Sequence, residues 1–286
     1  MRAREGAHAD ACERGGLAGQ LTRRSFLEAA AGVAALAAVA CRTKPALEVG
    51  AVKGPTARNG AKLAAQGRLA ARPGAPPEPA APGLHALGLA RTRDALLYVP
   101  AAHRTDQPAP LAVMLHGAGG VAEHGMSLVR DLADAAGLLV LAPPARRQTW
   151  DVILGRYGPD VTFIDEALAA TFHRCAVDAR RVAAGGFSDG ASYALSLGLT
   201  NGDLFTHVMA FSPGFMAPAD HVGEPGCYVS HGTRDQVLSI DRCSRRIVPA
   251  LERAGYEVRY REFDGPHTVP NEIAREAVGW FTGTPG

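Results

Sequence analysis

An α/β fold, with a mostly parallel central sheet and helices on both faces, is what this sequence predicts. Three observations carry the prediction. From about residue 84, short apolar runs alternate with segments of helical period, and that alternation builds a parallel sheet through crossover helices. Hydrophobic residues make up 47% of the 286 and charged residues 20%, so the chain can bury a sizeable core. In "RVAAGGFSDGASYALSLGL" (181–199) a serine between glycines stands where a β-like run meets an alanine-rich helical run. The net charge is +2 and no basic stripe is interleaved with aromatics, which argues against a nucleic-acid partner.

The chain opens with a segment that is not expected to join the fold. Residues 1–41 read as an export signal: Arg23 and Arg24 precede an Ala/Val/Leu-rich run that ends in "AVAC". The run from Phe26 to Ala40 is short for a membrane span and contains Glu28. "TRRSFL" resembles the twin-arginine signal of bacteria, which implies export by that route to the periplasm, the cell surface or the medium. Ala38 and Ala40 fit an A-x-A cleavage site. The same tetrapeptide resembles a lipobox with Cys41 as a lipidated residue, a membrane tether, although position 38 is Ala where Leu is usual. Residues 42–83 are rich in Ala, Gly and Pro and poor in large apolar residues, so they read as a flexible linker ahead of a domain spanning 84–286.

Within that domain, 95–100, 111–117 and 138–143 read as short buried strands, and 124–137 as an amphipathic helix closed by Gly137. A helix follows over 160–175 with Asp160 as its N-cap. The Ser188 corner comes next, with strands at 206–214 and 226–235. A helix is expected over 241–255, kinked or divided at Pro249. A strand at 256–263 and a closing helix at 270–281 complete the pattern. Cys175, Cys227 and Cys243 lie in the domain. A Cys227–Cys243 bridge and three buried thiols both fit them, and their spacing matches no zinc site.

Gly186-Phe187-Ser188-Asp189-Gly190 is a G-x-S-x-G at a strand-to-helix turn. Such a turn strains the serine, and the glycines let strand and helix pack closely around it. Serine needs a base. His267 lies just past the last strand and Asp235 just past the strand before it, in the chain order Ser, Asp, His that this arrangement uses. His267 would carry the proton and Asp235 would hold the imidazole. His231, at a strand end, reads as a structural turn residue, and Asp264 lies too close to His267 in sequence to suit the role of acid. "LHGAGG" (115–120) offers an oxyanion donor at Ala118 or Gly119, beside the N–H of Asp189. The same turn also matches G-x-G-x-x-A, a dinucleotide fingerprint, but the following strand ends in "LAPPARR" without the acidic residue that holds a ribose. Trp150, Phe215 and Met216 are candidates to line a substrate pocket.

"PLAVMLHGAGG", "GGFSDGASYALSLG", "AFSPGFM", "SHGTRDQVLSIDRC" and "GPHTVP", spread over roughly residues 90 to 283, together resemble the α/β-hydrolases. They are similar to the bacterial phospholipase/carboxylesterase group and the related polyhydroxybutyrate depolymerase and feruloyl esterase-like enzymes. The resemblance implies Ser188 as nucleophile, Asp235 as acid and His267 as base, with no metal and no cofactor. No lid insertion of the lipase kind is evident and the chain ends soon after its last helix, which favours small, accessible esters as substrates. Thioester or peptide cleavage on the same scaffold, and a non-catalytic exported binding protein, are the other functions that the resemblance leaves open.

Overall fold

The computed structural model describes residues 55–76 and 78–284. The export signal and Cys41 lie outside them. Eight strands form one sheet in the order β1-β2-β4-β3-β5-β6-β7-β8. These are β1 (Gly83–Ala86), β2 (Leu96–Val99), β3 (Ala109–Leu115), β4 (Leu139–Ala142), β5 (Val177–Phe187), β6 (His207–Phe211), β7 (Gly226–Gly232) and β8 (Val258–Phe263). β1 and β2 run antiparallel at one edge, and every pairing from β4 to β8 is parallel.

Among the described residues, seven helices flank the sheet: α1 (Pro55–Ala65), α2 (Ala122–Met126), α3 (Arg130–Ala136), α4 (Pro159–Arg174), α5 (Asp189–Thr200), α6 (Ser244–Arg253) and α7 (Asn271–Thr282). The two-residue period of a strand divides the core. Leu111, Val113 and Leu115 of β3 pack on the side of α1, α4, α5 and α6. Ala112 and Met114 of the same strand pack on the side of α2, α3 and α7. β5 lies between β3 and β6 and is buried along its last turns of pleat, so its C-terminal end reaches the sheet edge in the middle of the molecule.

Several elements differ from the expectation. The helix expected over 124–137 is two helices, α2 and α3, because Val129 leaves helical geometry (φ −139°, ψ 1°), and the break turns both Met126 and Val129 into the core. Gly137 closes α3 in the left-handed conformation. Asp160 is not the N-cap of α4. Gly158 holds that position, Pro159 fills the first helical turn, and the Asp160 carboxylate turns back onto the preceding loop. Pro249 sits inside an undivided α6. Burial of Ile247, Val248 and Leu251, at about 1.5–3 kcal/mol each, outweighs the roughly 3 kcal/mol that an interior proline costs. Cys175, Cys227 and Cys243 are buried thiols, with no bridge between Cys227 and Cys243.

The linker expected over 42–83 is structured in its described part. After α1, Leu69 is 2% exposed and joins the core. The Asn201 side chain accepts from the Leu69 N–H at 2.8 Å and donates to the Gly67 carbonyl at 2.7 Å. Asp165 accepts from the N–H groups of Ala70 and Ala71, and Arg68 and Arg72 both pair with Asp203. Composition hid this docking because the segment is held by its backbone polar groups more than by large side chains.

Candidate active site

The C-terminal ends of β3, β5, β7 and β8 bring the site together. Ser188 leaves β5 and opens α5 with φ 58° and ψ −120°. Only Arg93, Ser188 and Ser212 among the described non-glycine residues have positive φ, a conformation that costs about 1–3 kcal/mol. The strain is held from several sides. The Ser188 N–H donates to the Phe211 carbonyl at 2.9 Å, and its carbonyl accepts from Ser192 N–H at 3.0 Å. A Cβ on Gly186 would stand 2.6 Å from the backbone of Gly190, and one on Gly190 would stand 2.2 Å from the Leu115 carbonyl. Only glycine at both positions lets β5, α5 and β3 pass so closely. The Asp189 N–H lies in the first turn of α5, where helix amides have no intrahelical acceptor and anions are favoured.

The turn after β3 lies against the serine: a Cβ on Gly117 would be 3.4 Å from Ser188 Cβ. Gly119, at φ 69°, donates its N–H to Gln148 at 2.7 Å, and Gly120 donates to Gly117 at 3.1 Å. The Gly119 amide is thereby engaged, whereas the Ala118 N–H has no backbone acceptor among the described residues. His116, which the sequence reading passed over, fixes this turn. Its Nδ1–H donates to the Gly117 carbonyl at 2.7 Å and its Nε2 accepts from Ala145 N–H at 3.0 Å. Burial lowers its pKa, and the two bonds require the neutral ring.

Trp150 is enclosed and offers no surface to a substrate. It is 0% exposed, stacks on Tyr193 at 5.0 Å and donates its indole N–H to the His116 carbonyl at 2.9 Å, so it supports the turn from beneath. Thr149 donates to the Asp189 carboxylate at 2.6 Å. Phe215 and Met216, half-buried, follow β6. Their loop is tied down by three hydroxyls one helical turn apart on α5: Ser192 accepts from the Gly214 N–H, Ser196 from Ala217 and Thr200 from Ala219. The spacing i, i+4, i+8 on an otherwise apolar helix was the readable signal.

On the other side, the parallel register of β7 and β8 sets Gly232 opposite Phe263, so the two following loops leave together. A Cβ on Gly232 would meet the carbonyls of Gly265 and Pro266 at 2.4 and 2.5 Å. His267 Nδ1–H donates to Asp235 Oδ2 at 2.5 Å. Asp235 Oδ1 accepts from the N–H groups of Val237 and Leu238, each at 2.8 Å. Burial acts to raise the Asp235 carboxyl, but those amides and His267 more than offset it and hold it below its ordinary value. The His267 ring packs on Phe187, centroids 4.5 Å apart, one residue from Ser188. Ser188 Oγ makes no hydrogen bond among the described residues, and Ser188 is 9% exposed.

The two rivals are accounted for. Asp264 is 77% exposed and paired with Arg234. His231 is fully buried with both nitrogens engaged: Nε2–H faces the Leu238 carbonyl at 2.8 Å and Asp235 Oδ2 at 3.1 Å, and Nδ1 meets Ser244 Oγ at 2.6 Å. It buttresses the acid at Oδ2, the same oxygen that accepts from His267.

No family model and no curated sequence matches the chain. Solved structures do. A carboxylesterase from Bacillus cereus superposes with TM-score 0.51 at 18% identity, over 67% of this chain and 94% of that one. The fold is that of the α/β-hydrolases. A ferulic acid esterase from Anaeromyces mucronatus (TM-score 0.53, 18% identity, 67% and 85% of the two chains) has the same fold. So does the S-formylglutathione hydrolase FrmB from Staphylococcus aureus (0.54, 15%, 72% and 99%). In this chain Ser188, Asp235 and His267 stand just past the C-terminal ends of β5, β7 and β8.

Proposed function

We propose that this protein is a serine hydrolase that cleaves carboxylic esters of small or moderate acyl size through an acyl-enzyme. The observation that carries the reading is the strained Ser188 corner beside Phe187, against which the Asp235-bound His267 ring packs. In the first step His267 Nε2 takes the Ser188 hydroxyl proton as Oγ bonds to the ester carbonyl carbon. The oxyanion accepts from the N–H groups of Ala118 and Asp189. Collapse breaks the bond to the alcohol, which leaves with the proton from His267. Water, deprotonated by the same nitrogen, then attacks the acyl-enzyme and releases the acid and Ser188. Asp235 keeps Nδ1 protonated throughout and stabilises the imidazolium. We also infer export by the twin-arginine route from Arg23 and Arg24, with Cys41 as either the tether or the start of the mature chain.

A fluorophosphonate probe tests the reading. It should label the peptide containing Ser188, and p-nitrophenyl butyrate should show a burst. Ser188→Ala should lower kcat by roughly four orders of magnitude or more while leaving the melting temperature in place. Undiminished turnover in that variant would overturn the assignment.

A further inference from the structure

The loop between β4 and α4 carries a cavity that the ester chemistry above does not use. Its volume is about 400 Å³ and its walls include Arg146, Arg147, Arg156, Tyr157, Asp151 and Asp160. Three arginines of this loop line the cavity, and they are unequally engaged. Arg146 is fixed: it donates to the Arg93 carbonyl at 2.6 Å and its guanidinium lies 4.0 Å over the Phe163 ring. Arg147 and Arg156 are exposed, and neither pairs with a carboxylate among the described residues.

The two acids on the wall are committed elsewhere. Asp160 accepts from the N–H groups of Arg146 at 2.5 Å and Asp151 at 2.6 Å. Asp151 accepts from the N–H groups of Gly158 and Asp160 and from the Tyr193 hydroxyl. They shape the loop, and the free guanidinium groups are left for a ligand.

The same loop touches the turn after β3 and the first turn of α5, the two segments that flank Ser188. The Gln148 carbonyl holds Gly119, Thr149 holds Asp189, and Trp150 holds the His116 carbonyl. Across the cavity, Tyr157 donates to Ala217 at 3.0 Å, next to Met216. Leu154, 55% exposed on the rim, offers an apolar contact for a linking chain. Arginine forks match planar and tetrahedral oxyanions.

We propose that this cavity binds an anionic oxygen group, carboxylate or phosphate, borne by the ester substrate at a distance from the scissile bond. The site thus favours charged esters over neutral ones of the same length. This rests on the serine-esterase reading.

The test compares mono-p-nitrophenyl succinate and glutarate with neutral p-nitrophenyl butyrate, in wild type and in Arg147→Ala/Arg156→Ala. The kcat/KM ratio of charged to neutral ester should fall by roughly tenfold in the variant, the size of one charge-assisted contact. Hydrolysis of the neutral ester with an unchanged ratio would overturn the cavity proposal and leave the esterase reading standing. Titration calorimetry with succinate and with inorganic phosphate, on wild type and on the variant, reads the site without turnover. Binding that weakens in the variant supports an anion site even if neither ester is cleaved, in which case the esterase reading alone falls. A response to phosphate and none to succinate identifies a phosphorylated ligand. Absence of binding by either anion, together with an unchanged ratio or no turnover, overturns the proposal.

Discussion

At Ser188 the backbone holds a positive φ that a serine adopts only under constraint, and the glycines at 186 and 190 are what make the constraint bearable. Asp160 shows the same logic electrostatically. Burial raises its pKa to about 6 while its carboxylate anchors the N–H groups of Arg146 and Asp151. A folded pKa above the unfolded one means that the native state binds the proton more tightly between the two values. Stability is then full below the unfolded pKa and falls as pH rises from about 4 to about 6, by up to roughly 3 kcal/mol. Asp235, held below its ordinary value, acts oppositely: its contribution is present above the unfolded pKa and is lost only as pH falls through the lower folded one. Asp160→Asn removes the first titration. Its stability deficit against wild type in urea unfolding should therefore shrink between about pH 4.5 and about pH 6.5, and a constant deficit would show that Asp160 does not titrate there.

Elements set what a residue can tolerate. α5 passes β3 so closely that Gly190→Ala drives a methyl into the Leu115 and His116 carbonyls. Backbone cannot yield as a flexible side chain does, so this variant should lose several kcal/mol together with the proposed ester turnover. Gly60, exposed within α1, meets nothing within 4 Å of a built Cβ. Gly60→Ala should stabilise by roughly 0.4–1 kcal/mol. Denaturant midpoints of the two variants measure both claims. The Ser192, Ser196 and Thr200 hydroxyls show how one helix serves two ends: its first turn faces the serine corner while its polar stripe carries the Phe215 loop.

For the molecule as a whole, residues 55–76 ahead of β1 join the folded unit. A chain beginning at Gly83 would lose Leu69 from the core and leave Asn201 and Asp165 without the amides they accept from. Burying one leucine contributes about 1.5–3 kcal/mol, and for a domain of this size each kcal/mol moves Tm by about 2–4 °C. Thermal melts of the truncated and longer chains should therefore differ by roughly 5–10 °C, whereas equal melts would make the segment a passive linker.

The sequence by itself determined the alternation of strand and helix and the strand-to-helix corner at Ser188. It also determined that Asp235 and His267 follow consecutive strands. Each of these is written in local periodicity or in short-range spacing. Only the tertiary structure decided that Trp150 is enclosed against the turn after β3 rather than open to a substrate, that His231 buttresses Asp235, and that Asp160 ties a loop instead of capping its helix. It also decided that a proline- and alanine-rich segment docks on α4 and α5. Those outcomes depend on what lies across the sheet or one loop away. Burial and hydrogen-bond partners arise from residues distant in the chain, and no local pattern records them.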